Sequence, residues 1–127
     1  MLKTLFFILV ISSFLLEECV KPCHPKEKGL KQKLVSFIHH LITIYIFLGS
    51  FVFGKHILHL VIFSLVWLHW KLMKFYTGKE YCIITRYYNN LCGHNIEDQH
   101  YNIPNVLGVY NIIYFIVFYD IYHVIKN

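Results

Sequence analysis

Ionisable side chains lie inside two apolar stretches of the sequence, where any charge is costly enough to need a reason. His56 and His59 open the stretch HILHLVIFSLVWLHWKLM, and Asp120 and His123 lie one helical turn apart in the last apolar stretch. An acid within a lipid-spanning segment is a functional candidate by default. These four residues predict a polar cluster that either carries protons or pairs structurally. Snorkelling of Asp120 towards the lipid head groups is the simplest alternative.

Three further histidines, His39, His40 and His69, are expected at one common depth near the other membrane interface. At a rise of about 1.5 Å per residue, each lies within roughly 6–9 Å of that interface. His56 and His59 share one face of their helix, while His69 falls on nearly the opposite face. The helix that contains His56, His59 and His69 therefore cannot present all three of them to one cofactor. Haem ligation needs histidines that face each other across a bundle, so hydrogen bonds between helices are the expected role.

The cysteines lie in the two polar connections of the chain, at Cys19, Cys23, Cys82 and Cys92. In a lumenal compartment they predict disulfides that join the two connections; in the cytoplasm they predict free or palmitoylated thiols. A zinc site would add His24 and His94, but the C-x9-C-x-H half does not match common zinc spacing. Nucleotide-binding, metalloprotease and nucleophile-elbow motifs are absent from the sequence. We therefore predict a non-enzymatic protein with no cofactor and no metal.

Composition indicates that lipid, rather than water, surrounds much of the chain. The 127 residues are 57% hydrophobic and 15% charged, whereas soluble domains are about 45–50% apolar and about 25% charged. A soluble chain of this size has too little interior to bury so much apolar surface. The net charge of +5 comes from scattered lysines. It suits anionic lipid head groups better than nucleic acid, so the bilayer is the expected partner.

The apolar segments predict an all-α fold, a small helical membrane bundle in a single multi-pass domain over 1–127. The expected helices cover about 4–18, 34–53, 56–73 and 106–125. The last three are firm transmembrane spans of about 20 residues. The first is shorter and resembles a signal-peptide core without a good cleavage site, so it is a signal anchor, a span or a removed peptide. The second and third spans form a hairpin, because only Gly54 and Lys55 separate them.

Two periodic patterns indicate which helix faces pack. Ser36, Thr43 and Ser50 fall in one stripe of the second segment, and hydroxyls in such a stripe are expected to bond to a neighbouring helix. The last segment repeats aromatic residues every four positions, at Tyr110, Tyr114, Phe118 and Tyr122. This ridge predicts packing and interfacial anchoring, and a quinone or haem pocket is the alternative.

The distribution of basic residues predicts which side of the membrane each connection occupies. If all four segments cross, the two long connections and their flanks share one side, with nine basic residues against three on the other. The positive-inside rule then places the two connections in the cytoplasm. A signal-type N-terminus argues for the opposite orientation, because it would send the first connection to the lumen.

After the third segment, which ends in His and Trp, five residues form the pattern C-x-x-T-x-x-x-N-x-L-x-G, at Cys82, Thr85, Asn89, Leu91 and Gly93. This stretch resembles a signature of small uncharacterised membrane proteins of bacteria and large DNA viruses. Tyr88 stands where an acid is usual in that signature, and Ile84 stands where leucine is usual. The resemblance implies a membrane fold, with a viral protein as one expectation, and implies no activity.

These observations together favour a non-enzymatic membrane or envelope component. It would assemble with a second copy or another membrane protein through helix contacts. One alternative is a small proton or ion conductor that uses Asp120 and the nearby histidines. The other is a haem- or metal-binding redox protein of the membrane.

Overall fold

The computed structural model of the chain describes residues 1–20, 23, 29–78, 82–95 and 109–126. That part of the chain is all-α and contains no strand, which confirms the all-α part of the predicted fold. It forms five helices, which are α1 (Leu2–Val20), α2 (Leu30–Phe53), α3 (His56–Thr77), α4 (Ile83–Leu91) and α5 (Val109–Lys126).

Helix α2 lies at the centre of the bundle and contacts each of the other four helices. Helix α1 packs along α2, α4 covers another part of α2, and α5 packs mainly against α3 while also touching α2. Polar groups from three or more helices can therefore meet only on α2 or beside it.

The α2–α3 hairpin forms at the two residues that the sequence indicated. Gly54 ends α2 in the left-handed conformation, with φ of +62°, and its N–H donates to the Ser50 carbonyl at 2.9 Å. Glycine adopts this conformation without a Cβ clash, so it is the usual residue at a helix end of this kind. Helix α3 then returns along α2, as is shown by the contact between the His59 ring and the Ile46 carbonyl oxygen.

The helices extend further into the polar connections than the sequence indicated. Helix α1 continues through Glu17 to Val20, α2 begins at Leu30 rather than 34, and α3 continues to Thr77. Helix α4 was not predicted at all. It forms in the second connection because Tyr88 packs with Cys23 and Cys92 against Val35, and such tertiary contacts outweigh weak local preference. The expected helix start at Pro104 and Asn105 lies outside the described residues.

The distribution of side chains is inverted relative to a water-soluble protein. Most large apolar side chains of α1, α3 and α5 are exposed. The buried set includes several polar and charged side chains, which are Glu17, Ser36, His40, Ser50, His59, Asn89 and Asp120. In the described part of the chain, α2 and α3 are the two helices long and apolar enough to cross a membrane.

Candidate functional site: two buried carboxylate–histidine clusters

The first cluster surrounds Asp120, whose side chain on α5 is fully buried. One oxygen, Oδ1, accepts hydrogen bonds from the Ser50 hydroxyl of α2 and from Nδ1 of His56 at 2.8 Å. The other, Oδ2, lies 2.5 Å from Nδ1 of His59 on α3. We call Asp120, Ser50, His56 and His59 the Asp120 cluster. It ties α5 to both helices of the hairpin.

His59 is held at both ring nitrogens. Its Nε2 lies 3.0 Å from the Ile46 carbonyl oxygen and 3.2 Å from that of Tyr45. A carbonyl oxygen only accepts, so Nε2 carries a proton and donates to α2. The contact between Nδ1 and Asp120 then contains one further proton, which makes either an imidazolium with a carboxylate or a neutral imidazole with a carboxylic acid. Both forms have no net charge, which suits a buried position.

His56 forms the outer edge of the Asp120 cluster. Its side chain is 14% exposed, whereas those of His59 and Asp120 are essentially inaccessible. The His56 ring stacks on His123, with centroids 4.5 Å apart and planes 10° apart. The predicted group of His56, His59, Asp120 and His123 is thus brought together, although His123 reaches Asp120 only through His56. Asp120 and His123 are three residues apart, so their side chains leave α5 in directions that differ by about 60° around the helix axis.

The second cluster surrounds Glu17, which is buried between α1 and α2. Oε2 of Glu17 accepts from the Ser36 hydroxyl at 3.0 Å and from Nε2 of His40. The other ring nitrogen of His40 lies 2.7 Å from the Ser13 hydroxyl of α1. We call Glu17, Ser36, His40 and Ser13 the Glu17 cluster. Glu17 falls inside the expected helix 4–18 but was not predicted as a site residue, and the signal that could have found it is the pair Ser36 and His40, one turn apart within an apolar helix.

The two clusters lie at different depths along α2. His40 and Ser50 are ten residues apart, which corresponds to about 15 Å along a helix. Between these two positions on α2, Ile46 is a buried apolar side chain. The Glu17 cluster and the Asp120 cluster are therefore separate hydrogen-bonded groups at two levels of α2.

The remaining predicted histidines have separate partners. Nδ1 of His39 lies 3.7 Å from Sγ of Cys82 and 3.5 Å from the Thr85 hydroxyl. Nε2 of His69 accepts from the backbone N–H of Ile83 at 3.2 Å. His39, His40 and His69 therefore share a depth range without converging on a common point. Among the described residues, no three His, Cys, Asp or Glu side chains are arranged to hold a metal ion.

Cys82, at the start of α4, is a thiol whose surroundings favour its ionised form. Burial by itself would raise the pKa of this thiol. The hydrogen bond and charge of His39, together with the Thr85 backbone and hydroxyl, outweigh burial and lower the pKa of Cys82 to about 7. A partly accessible cysteine beside a histidine is the usual environment of a reactive thiol.

The other cysteines divide into one disulfide and one exposed thiol. Cys23 and Cys92 are joined, which links the connection after α1 to the end of α4, and Cys19 is an exposed thiol. The Tyr88 hydroxyl covers this link and donates to Glu18 at 3.3 Å, and burial raises the pKa of its phenol. A zinc site that uses Cys23 and Cys92 is incompatible with this bond, and His24 lies outside the described residues.

The expected aromatic ridge of α5 does not pack inside the chain. Tyr114, Phe118 and Tyr122 are exposed, and the side chain of Tyr110 lies outside the described residues. The ridge therefore faces lipid or another molecule, because α5 turns Asp120 and Ile116 inward instead.

Comparisons with protein-family models, with curated proteins and with solved structures find no match.

Proposed function

We propose that the chain is a non-enzymatic, multi-pass integral membrane protein that assembles through its outward helix faces. The observation that carries this proposal is the inverted distribution of side chains, with carboxylates and histidines inside and large apolar side chains outside. In hydrocarbon, polar groups must find partners within the protein, and apolar ones need none. The Asp120 and Glu17 clusters meet that requirement.

The proposal includes four spanning helices. Helices α1 and α5 contain 19 and 18 residues, which corresponds to roughly 27–29 Å, close to a hydrocarbon core about 30 Å thick. Glu17 and Asp120 face α2 and α3 rather than the exterior, which removes the main obstacle to placing α1 and α5 in lipid. The resemblance of the Cys82–Gly93 stretch to small membrane proteins of bacteria and large DNA viruses agrees with this arrangement and adds no activity.

Helix α3 offers the face on which a second copy would dock. Of its side chains, His59 is the one that is fully buried, and its outward surface carries Leu58, Val61, Leu65 and Leu68. Ser64 is exposed on the same helix near the middle of the span. Small and hydroxyl side chains on a lipid-facing surface favour close approach and hydrogen bonding between helices.

Cysteine cross-linking tests this assembly. In a chain with Cys19→Ser and Cys82→Ser, Leu65→Cys should form a disulfide-linked dimer in membranes. Phe115→Cys, an equally exposed position on α5, is the matched control and should stay monomeric. Equal cross-linking at both positions, or none at Leu65, would contradict assembly through α3.

The disulfide supports an orientation opposite to the one that the basic residues predicted. Cys23 and Cys92 lie in the two long connections, and disulfides persist in oxidising compartments. We therefore place both connections outside the cytoplasm, with the N-terminus inside, as a signal anchor would require. A glycosylation site engineered into residues 96–105 should be modified in microsomes, whereas a site beside Gly54 should not.

A proton conductor is the second candidate, and the Asp120 cluster favours it. One proton is shared between Asp120 and His59, and His56 links this pair towards His123 and the exterior. Purified protein in liposomes with an imposed pH gradient tests this candidate. Flux that Asp120→Asn abolishes while the bundle stays folded would support conduction. No flux from folded wild-type protein between pH 5 and 8 would leave the assembly function.

The haem- or metal-binding alternative receives no support from the described geometry. His40, His56 and His59 each use a ring nitrogen to hold a buried carboxylate. The other ring nitrogen of His40 is bonded to Ser13 and that of His59 to carbonyls of α2, so neither has a nitrogen open to iron. We therefore do not propose a redox cofactor.

A further inference from the structure

A thiol site lies at the start of α4, next to the Glu17 cluster but with hydrogen-bond partners of its own. Cys82 precedes the first residue of α4, and its Sγ is 3.7 Å from Nδ1 of His39 on α2. Thr85 places its hydroxyl 3.5 Å from the same nitrogen. The sulfur therefore belongs to a Cys–His–Thr group that is built from two helices.

Cys82 is partly exposed, whereas its partner His39 lies among closely packed side chains. These neighbours are Glu17, Ser36, Thr85 and Tyr88. His39 can take the thiol proton, and the nearby Glu17 carboxylate stabilises the imidazolium that results. Cys82 keeps its thiol although the Cys23–Cys92 disulfide lies at the other end of the same nine-residue helix.

We propose that Cys82 is a nucleophilic thiol, activated by His39, that exchanges with low-molecular-mass disulfides to form a mixed disulfide on the protein. Cys82 gives its proton to His39, and the thiolate attacks one sulfur of the small disulfide. A bond forms between Sγ and that sulfur, and the original sulfur–sulfur bond breaks. The second sulfur leaves as a thiolate and takes the proton from His39. Cys82 is oxidised to the disulfide level, and half of the small molecule is reduced to a thiol.

Disulfide exchange fits this site better than acyl transfer. Acyl transfer needs hydrogen-bond donors aimed at the oxyanion that forms on a carbonyl oxygen. Exchange needs only a thiolate and access to it, and a thiol whose pKa lies near the ambient pH is the best attacking group. The Cys23–Cys92 disulfide on the same side of the bundle also indicates a compartment in which small disulfides are present.

Glutathione disulfide is the probe that tests the site. In a chain with Cys19→Ser, which leaves Cys82 as the thiol outside the disulfide, intact mass should show addition of one glutathionyl group. The rate should rise with pH about a midpoint near 7, as expected from the pKa of Cys82. This pH profile needs only the substitution of the exposed Cys19, so it does not depend on the folding of a variant in which a buried residue is changed.

Two variants separate activation by histidine from simple exposure. In the chain with Cys19→Ser, the further change His39→Gln should move the midpoint above pH 8. It should slow the reaction at pH 6 by about fivefold, because less of Cys82 is then ionised, although the remaining thiolate is more nucleophilic. The chain with Cys82→Ser and an intact Cys19 gives the behaviour of an exposed thiol on α1. It should lack a midpoint near 7.

Three results would overturn the proposal. The first is no mixed disulfide at Cys82, and the second is a midpoint above pH 8 with His39 present. The third is transfer of an acyl group from an acyl thioester to Cys82 without reaction with glutathione disulfide, which would make the site an acyl acceptor instead.

Discussion

Glu17 of α1 and Asp120 of α5 occupy corresponding positions at two depths of α2. Each carboxylate accepts from one serine of α2, Ser36 or Ser50, and each is also bonded to a histidine ring. The outer helices of the bundle are thus attached to its central helix through the same chemistry. A buried carboxylate that is fully paired in this way costs little to keep, but removing one partner leaves the other group unpaired.

Asp120→Ala is expected to destabilise the bundle by about 3–5 kcal/mol, because it leaves His56 and His59 buried without their acceptor. Asp120→Asn keeps the shape and should cost less. Unfolding in mixed micelles, followed by circular dichroism, measures both. A loss for Asp120→Ala below about 1 kcal/mol would mean that the cluster is hydrated and does not hold α5.

Glu17→Ala should weaken the attachment of α1 by a similar amount, since Ser36 and His40 lose their shared acceptor. Glu18→Ala is the matched control, because Glu18 is more exposed and should cost under about 1 kcal/mol. Limited proteolysis of the N-terminus, compared at equal protein concentration, checks the difference. Equal protection of the two variants would show that α1 is held by its apolar contacts alone.

Ser50→Leu should destabilise the fold, whereas Ser64→Leu should leave its stability unchanged. Ser50 is buried against Asp120 and His56, so leucine there removes a donor and overfills the packed space, at about 2–4 kcal/mol. Ser64 is exposed on α3, so leucine there should leave the fold of the monomer unchanged. Thermal melting in detergent distinguishes them, and similar melting temperatures for both would contradict the placement of the polar stripe.

The Cys23–Cys92 disulfide should stabilise the bundle by up to about 4 kcal/mol, given the 69 residues that separate its ends. The predicted effect of Cys23→Ser with Cys92→Ser is therefore a large fall in melting temperature, which reducing agent reproduces in the wild type. Cys19→Ser serves as the control and should melt like the wild type. If reductant leaves wild-type melting unchanged, the bond either does not form or constrains nothing.

The contribution of Cys82 to stability should depend on pH. The pKa of this thiol falls from an ordinary value of 9.0 to about 7 on folding. A depressed pKa stabilises the folded state fully above the unfolded value, and the contribution is lost as the pH falls through the folded value. The stability difference between wild type and Cys82→Ser should therefore decrease by about 2 kcal/mol from pH 9.5 to pH 6. A difference that stays constant with pH would contradict the His39 contact.

The all-α fold and the positions of the polar groups along the helices could be predicted from the sequence. The hydrophobic period, the length and the composition of each apolar segment are local properties of the sequence. The all-α fold and the Gly54–Lys55 turn follow from them and were predictable. Depth along a helix follows from residue number, which is why His56, His59 and Asp120 were expected at one level.

Which of these polar groups contact each other could not be predicted from the sequence, because it depends on how the helices pack. The rotation of each helix about its axis depends on packing with all its neighbours, and no residue count supplies it. For that reason Glu17 was missed as the partner of His40, and His69 was grouped with histidines that it does not join. Helix α4, the choice of Cys23 and Cys92 as the disulfide pair, and the Cys82–His39 contact arise in the same way. They join segments distant in sequence, whose approach is determined by the surface that the whole bundle buries.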